Sequence, residues 1–349
     1  MLVHSLEVEA FLKLYRTKNP LLIDTRSEKE FCHAHIPGAV NIPILNNEHR
    51  HIVGTLYKQE GREAAVLKGF ELVGPLFRDK MESAMALAGG REVLVYCWRG
   101  GMRSNILGWL LKMAGLKVTL LEGGYKSFRH YMLPFLEKKY PILILGGQTG
   151  SGKTEILHRL RNSGEYIIDL EHLASHKGSA FGLLGQPEQP SQEQFENKLA
   201  LELEAFGNGS LLWLENESRL IGRIVLPPQL FQQMRDASVL DVQVTREQRE
   251  KRIHEEYCCF DVSLLGEHTH RIAKRLGPQH LKRSLEFLHE GNKTEWMKII
   301  LDYYDKTYTH SNAQRHHAMV RQIPFNWEMP EEGITALISA ARISKKMED

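Results

Sequence analysis

Residues 142–154 read Ile-Leu-Ile-Leu-Gly-Gly-Gln-Thr-Gly-Ser-Gly-Lys-Thr, and they restrict the chain more than any other stretch. Gly147, Gly152, Lys153 and Thr154 occupy the four fixed places of G-x-x-x-x-G-K-[ST]. An apolar strand opening at Pro141 precedes the loop, and Glu155-Ile-Leu-His-Arg-Leu continues it as a helix. A strand, a glycine-rich loop and a helix in that order belong to an α/β domain with a parallel sheet. The glycines let successive backbone N–H groups turn inward on a phosphate, and the helix dipole adds to the attraction. The expected phosphate-binding set is Gly147, Gln148, Thr149, Gly150, Ser151, Gly152, Lys153 and Thr154. Lys153 supplies a point charge, and Thr154 is placed to carry a metal ion, with Mg2+ the candidate.

Acids follow at the ends of two further expected strands, Tyr166–Asp169 and Leu211–Glu215. Asp169 and Glu215 are candidate metal or ligand acids, or simple caps of the next helix, and spacing leaves both open. The third strand ends on Glu rather than Asp, which counts against ATP hydrolysis, and the diphosphate of some other ligand would satisfy the same loop. Between these strands the Gly-, Ser-, Pro- and Gln-rich stretch 172–192 reads as a lid or binding loop, and Ser191 to Phe206 as an amphipathic helix. Phe181, Leu183, Leu184 and Trp213 are candidates for an apolar wall, or for plain core.

A second loop carries nucleophilic chemistry. Val93 to Tyr96 is a short buried-strand pattern ending on Cys97, and Arg99, Gly100, Gly101 and Arg103 follow before a helix opens at Ser104. A thiol at a strand end, among inward N–H groups and guanidinium charge at a helix N-terminus, is favoured as thiolate. Cys97 is therefore the expected nucleophile, with Arg99 and Arg103 as anion holders. Between Cys97 and this domain's start, Tyr57–Phe70 and Phe77–Ala88 read as helices.

Beyond an expected strand at Ala237–Val244 the chain becomes basic and helical. No acid occurs between His268 and Leu285, while Arg271, Lys274, Arg275, Lys282 and Arg283 do. An RNA-backbone contact and a solvated helix face weigh equally for these five. Tyr303, Tyr304 and Tyr308 fit base stacking or packing. Ser344–Asp349 reads as a frayed tail. The length of 349 residues suits two or three domains, and a net charge of +2 excludes little. Four cysteines without a CxxC pair, and no apolar leader or membrane span, point to the reducing cytoplasm and no membrane partner.

The Cys97 region resembles rhodanese-like domains. Leu22–Phe31 and His35–Pro43 are similar to the first rhodanese signature, and Leu120–Tyr125 to the closing strand and glycine pair. The loop is one residue longer than is usual for sulfurtransferases and is similar to the Cys-x5-Arg loop of dual-specificity phosphatases. A rhodanese-like α/β domain at 1–130, a connector at 131–141, and a P-loop NTPase-like α/β domain at 142–310 are expected. That second domain includes the basic helical segment at about 246–310, the candidate RNA contact, with a C-terminal segment at 311–349.

This pairing of loops resembles the tRNA 2-selenouridine synthase family over nearly the whole chain. The resemblance implies replacement of sulfur by selenium in 2-thiouridine at the tRNA wobble position. Selenophosphate would be the donor and geranyl diphosphate a second substrate that converts the sulfur into a leaving group. Selenophosphate synthetase is the further partner in that expectation. Two rivals stand beside it. One is a cysteine-dependent phosphatase or arsenate reductase; the other is a nucleotide-regulated RNA-binding protein with a vestigial rhodanese domain.

Overall fold

A computed structural model describes residues 3–207, 210–313 and 320–348, with side chains left out at 310–313 and 345–348. The chain divides into two compact units, Met1–Phe135 with Ser191–Leu201, and Leu136–Pro190 with Glu202–Asp349. No helix among the described residues is long and apolar enough to cross a membrane.

The first unit is built on β1 (His4–Leu6), β2 (Leu21–Asp24), β3 (Val40–Asn41), β4 (Val93–Tyr96) and β5 (Val118–Leu121). They form an all-parallel sheet in the order β1-β5-β4-β2-β3. Every residue of β2, β4 and β5 is buried, as a parallel sheet covered on both faces requires. β4 is the central strand, so Cys97 leaves the sheet at its middle, at the carboxyl end where open parallel sheets gather ligands. Beside it, Asp24 pairs in register with Tyr96. The Arg26 guanidinium is bound to Asp24 at 2.6 Å and lies 4.0 Å from the centroid of the Tyr125 ring, and both charges are buried.

Tyr57–Phe70 is not one helix. Helices Asn47–Gln59 and Arg62–Val73 meet at Glu60–Gly61, where Gly61 adopts φ 91°. The stretch expected as a connector contains the end of helix Gly124–Met132 and a 3-10 turn at Leu133–Leu136. Helix Gln192–Ala205 begins in the first unit. There Tyr125 donates to Glu193 Oε1 at 2.6 Å, Asn197 donates to the Tyr125 hydroxyl at 2.7 Å, and Arg129 donates to Asn197 Oδ1 at 3.1 Å. The His35 N–H donates to Gln194 Oε1 at 2.7 Å.

The second unit contains β6 (Ile142–Gly147), β7 (Tyr166–Ile168), β8 (Leu212–Glu215), β9 (Leu220–Ile221), β10 (Ile224–Val225), β11 (Ser238–Gln243) and β12 (Val320–Pro324). A parallel sheet runs β12-β11-β6-β8-β7, with β9 and β10 as a separate antiparallel pair. β6 is again central, so the glycine-rich loop leaves mid-sheet. The region expected as a separate C-terminal segment supplies β12, which pairs with β11 over Val320–Pro324. Helix Pro330–Glu348 packs on the same core through Ile334 and Leu337. Residues 344–348 therefore continue a helix rather than fray, and Asp349 lies outside the described residues.

Candidate functional site

Two sites emerge, one in each unit. In the first, Cys97 is buried, 3% exposed, and its Sγ accepts hydrogen bonds from the Gly101 N–H and the Ser104 hydroxyl, each at 3.2 Å. Gly101 caps helix Met102–Met113, so the sulfur sits at the positive end of that helix. The loop is fixed from behind: Tyr125 N–H donates to the Cys97 carbonyl at 2.8 Å and Lys126 N–H to that of Trp98 at 3.0 Å. Gly124 makes this approach feasible. Its φ is 61°, and a Cβ there would stand 2.3 Å from the Cys97 carbonyl oxygen.

Neither arginine contacts the sulfur. Arg103 does not turn to the sulfur; its Nη1 holds Glu30 Oε2 at 2.7 Å. Burial pushes the Glu30 carboxyl up, but the Arg103 hydrogen bond and charge outweigh it and hold it below the usual range. Arg99 is exposed at the loop tip. Ser104 takes the place at the thiol that charge was expected to fill. Its signal was positional, since three residues past a helix cap a side chain points back at the cap.

In the second unit the loop after β6 is braced on several sides. Lys153 Nζ donates to the Gly147 carbonyl at 3.0 Å, and the Gly147 N–H donates to the Tyr308 hydroxyl at 2.7 Å. From helix Arg246–Tyr257, Arg249 donates to the Thr149 carbonyl at 2.9 Å and to Gln148 Oε1 at 2.5 Å. Trp327 donates to the Ser151 carbonyl at 3.0 Å, and the Arg252 guanidinium lies 3.9 Å from the Trp327 ring centroid. Arg249 and Arg252 bring cations to a phosphate loop about a hundred residues away, which chain spacing does not reveal.

Three carboxylates face the same loop. Oxygens of Glu171, Glu215 and Glu217 lie within 4.8 Å of one another, and Thr154 donates to Glu171 at 3.2 Å. Glu215 Oε1 accepts from the Glu171 N–H at 2.9 Å, while its buried Oε2 has no hydrogen-bond partner among the described residues. Burial and the neighbouring Glu217 charge push Glu171 up to about 8. Burial likewise brings Glu217 to about 6, against the pull of Lys153. Burial, then the Glu171 charge, holds Glu215 well above the carboxylate range. Gly178, in the 172–192 loop, closes over the group at φ 63°, and a Cβ there would meet Glu217 oxygen at 2.6 Å.

An orphaned carboxylate oxygen, two raised neighbours and a hydroxyl make an oxygen-rich donor set that fits a hard divalent cation. Of the two acids singled out from sequence, Glu215 belongs to this group. Asp169 does not: its Oδ1 caps the next helix by accepting from the His172 N–H at 2.8 Å, and its Oδ2 lies 2.8 Å from His158 Nε2. Glu217 lies two places past the end of β8, where the chain turns and its N–H donates to the Glu215 carbonyl at 2.9 Å, a contact that sequence spacing did not reveal.

Of the candidate apolar wall, Trp213 is core, packed beneath the sheet with its Nε1 donating to Glu165 at 3.0 Å. Phe181 and Leu184 are buried in a cluster with Tyr257, Leu265 and Trp296, and Leu183 is exposed. The cleft that Phe181 lines beside Thr149 measures about 30 Å³, room for a water or two. Arg271, Lys274, Arg275, Lys282 and Arg283 are all exposed, but the helix they were assigned to breaks at Ile272. His268 is buried, its Nδ1 2.6 Å from the Ala180 carbonyl oxygen, and takes no part in that surface. Tyr304 accepts from the Ala180 N–H at 3.1 Å and Tyr308 donates to Asp241, so both serve packing and loop support.

Comparison with known proteins agrees with this division. The family model described as a rhodanese-like domain matches residues 7–131, and that described as the tRNA 2-selenouridine synthase AAA domain matches 140–286. A tRNA 2-selenouridine synthase of Nitrosomonas eutropha is 39% identical over 68% of this chain, which spans 62% of that relative's length. The synthases of Shewanella oneidensis and of Sulfurovum sp. are each 34% identical, over 86% and 85% of this chain and 88% and 91% of theirs. A crystal structure of the N-terminal domain of a Clostridium difficile 630 protein is 38% identical over 37% of this chain and 98% of its own, with a TM-score of 0.35. With both domain models matched in one chain and near full-length relatives at 34% identity, the chain belongs to the tRNA 2-selenouridine synthase family.

Proposed function

We propose that the protein replaces sulfur by selenium in 2-thiouridine at the tRNA wobble position, by way of an S-geranyl intermediate. The observation that carries this reading is the pairing of two different anion sites in one chain. One is a thiol cradled by an amide and a hydroxyl; the other is a phosphate loop ringed by Lys153, Arg249 and Arg252.

In the first reaction the 2-thiouridine sulfur attacks C1 of geranyl diphosphate. A C–S bond forms, the C–O bond breaks and diphosphate leaves with the electron pair. Lys153 and the amides of the 148–154 loop balance the developing charge, the kind of preorganised contribution that dominates such transfers. Thr154, Glu171 and Glu217, backed by Glu215, would hold Mg2+, whose chemistry there is charge neutralisation of the diphosphate.

In the second reaction the selenium of selenophosphate attacks C2 of the modified uridine. Geranylthiol departs with a proton, and water hydrolyses the Se–P bond to release phosphate and leave selenium on the ring. Cys97, its sulfur held by Gly101 and Ser104 at the helix N-terminus, orients the selenium for that attack, while the loop amides and Arg99 hold the phosphate part. Arg271, Lys274, Arg275, Lys282 and Arg283 grip the tRNA backbone. This reading gives both loops work, whereas a phosphatase leaves the second unit idle and needs at the sulfur an Arg103 that Glu30 already holds.

Chromatography and mass spectrometry of digested tRNA, after incubation with geranyl diphosphate and selenophosphate, test the reading. Cys97→Ala accumulates the S-geranyl nucleoside and forms no selenouridine. Lys153→Ala leaves 2-thiouridine, with prenyl transfer reduced on the order of 10²–10³-fold. Loss of both products in a folded Cys97→Ala protein, or near-normal geranylation by Lys153→Ala, overturns this division of labour.

A further inference from the structure

Helix Asn47–Gln59 has thirteen residues and not one is buried. Its apolar side faces an open cavity of about 450 Å³, within the range of sites that enclose small organic ligands. Val53, Val66, Phe70, Met102 and Ile106 line it. Tyr57, Phe70 and Met102 are 60%, 48% and 45% exposed, an unusual cost for a surface unless something covers it. The lining also includes three cations, Arg50, Lys58 and Arg62, and a fourth, Arg103, that Glu30 already holds.

One wall of this cavity is the first turn of helix Met102–Met113, the turn whose cap, Gly101, donates its N–H to Cys97 Sγ. The apolar space and the thiol therefore share a structural element. A ligand with its reacting atom at Cys97 and a hydrocarbon branch would place that branch here, while its phosphates meet the cations. The cleft that Phe181 lines beside Thr149, by contrast, holds only a water or two.

We infer that the cavity beside the Cys97 loop binds the hydrocarbon chain of an S-prenylated nucleotide during selenium insertion. This rests on the S-geranyl reading above and deepens it, since it assigns recognition of the prenyl group in the second reaction to the first unit. The cations match RNA phosphate and the apolar lining matches the chain, so a single ligand satisfies both halves of the lining. Holding the chain also retains the geranylthiol leaving group away from C2 as the new bond forms.

Gly69 gives a selective test. It lies in helix Arg62–Val73 on the cavity wall, and a Cβ there has only Val53 within reach, at 3.9 Å. Gly69→Leu fills the cavity while improving helix propensity. Two anticodon stem-loop RNAs, one with chemically made S-geranyl-2-thiouridine and one with 2-thiouridine, are titrated by fluorescence anisotropy onto the full-length protein. The wild type prefers the geranylated RNA tenfold or more. Gly69→Leu erases that preference, keeps the affinity for the other RNA and melts no lower. Equal affinity for both RNAs in the wild type, or a preference that survives Gly69→Leu, overturns the assignment. So does decanoate binding that Gly69→Leu abolishes while the RNA preference stays intact, which would make the cavity a lipid-acid site. Because the RNA is geranylated chemically, failure of the protein to make S-geranyl product would sink the proposed function without deciding this point.

Discussion

Glu171→Gln tests the carboxylate group through stability rather than turnover. In an unfolded chain a glutamate releases its proton near pH 4.3. In the folded protein Glu171 holds it to about 8 and Glu217 to about 6, chiefly through burial. Between those limits the native state binds more protons than the unfolded state, so stability falls as pH rises. The group costs nothing below the unfolded value, and its full penalty is reached above about pH 8. At about 1.4 kcal/mol per pKa unit, the Glu171 penalty at pH 7 is on the order of 4 kcal/mol. Glutamine removes the charge and retains an oxygen for Thr154. In chelator at pH 7 the variant should melt roughly 8–16 °C above wild type, taking about 2–4 °C per kcal/mol for a unit of this size. Scanning calorimetry between pH 5.5 and 9 should show the wild type losing stability across that window, Mg2+ removing most of the loss, and Glu171→Gln flattening it without metal. A wild-type melting temperature indifferent to both pH and Mg2+ would show that these oxygens do not repel one another and hold no cation.

Two further outcomes follow from other parts of the molecule. Asp24→Asn strands the buried Arg26 guanidinium and should cost about 3–5 kcal/mol in urea unfolding of the first unit, and a loss under about 1 kcal/mol would mean that Ala34 and Tyr125 suffice to hold it. Replacing Arg271, Lys274 and Arg275 by Gln should weaken tRNA binding and reduce its salt dependence by roughly one unit of slope per lost phosphate contact, whereas an unchanged slope would make them a solvated face only.

The two loops were legible because each packs its chemistry into a dozen consecutive residues. Gly147 to Thr154 and Cys97 to Ser104 carry their backbone turns and their reactive groups together, so spacing alone places them at strand ends. What stayed hidden is assembled from afar. Glu171 and Glu215 meet because β7 and β8 are sheet neighbours, a fact of pairing register. Arg249 reaches Gln148 because helix Arg246–Tyr257 folds back over the loop. Local pattern also overran its own breaks: a helical charge pattern covers Tyr57–Phe70, yet Gly61 at φ 91° splits it, and the cavity opens beside that split. β12 was missed because five residues with a single buried side chain carry little strand signal away from β11.

Residues 191–201 bear on how this chain is made. They leave the ribosome after the whole phosphate loop, yet they belong to the first unit. Until they appear, the Tyr125 hydroxyl lacks Glu193 and Asn197, and the His35 amide lacks Gln194. The rhodanese-like half is therefore not a finished object when its own stretch of sequence ends. Roughly sixty more residues of the other half must be translated before it can close, so its assembly trails synthesis of the element it is joined to. A fragment cut at the end of the rhodanese match, near residue 131, would carry Cys97 and its cradle but would lack the segment that completes the wall around Tyr125.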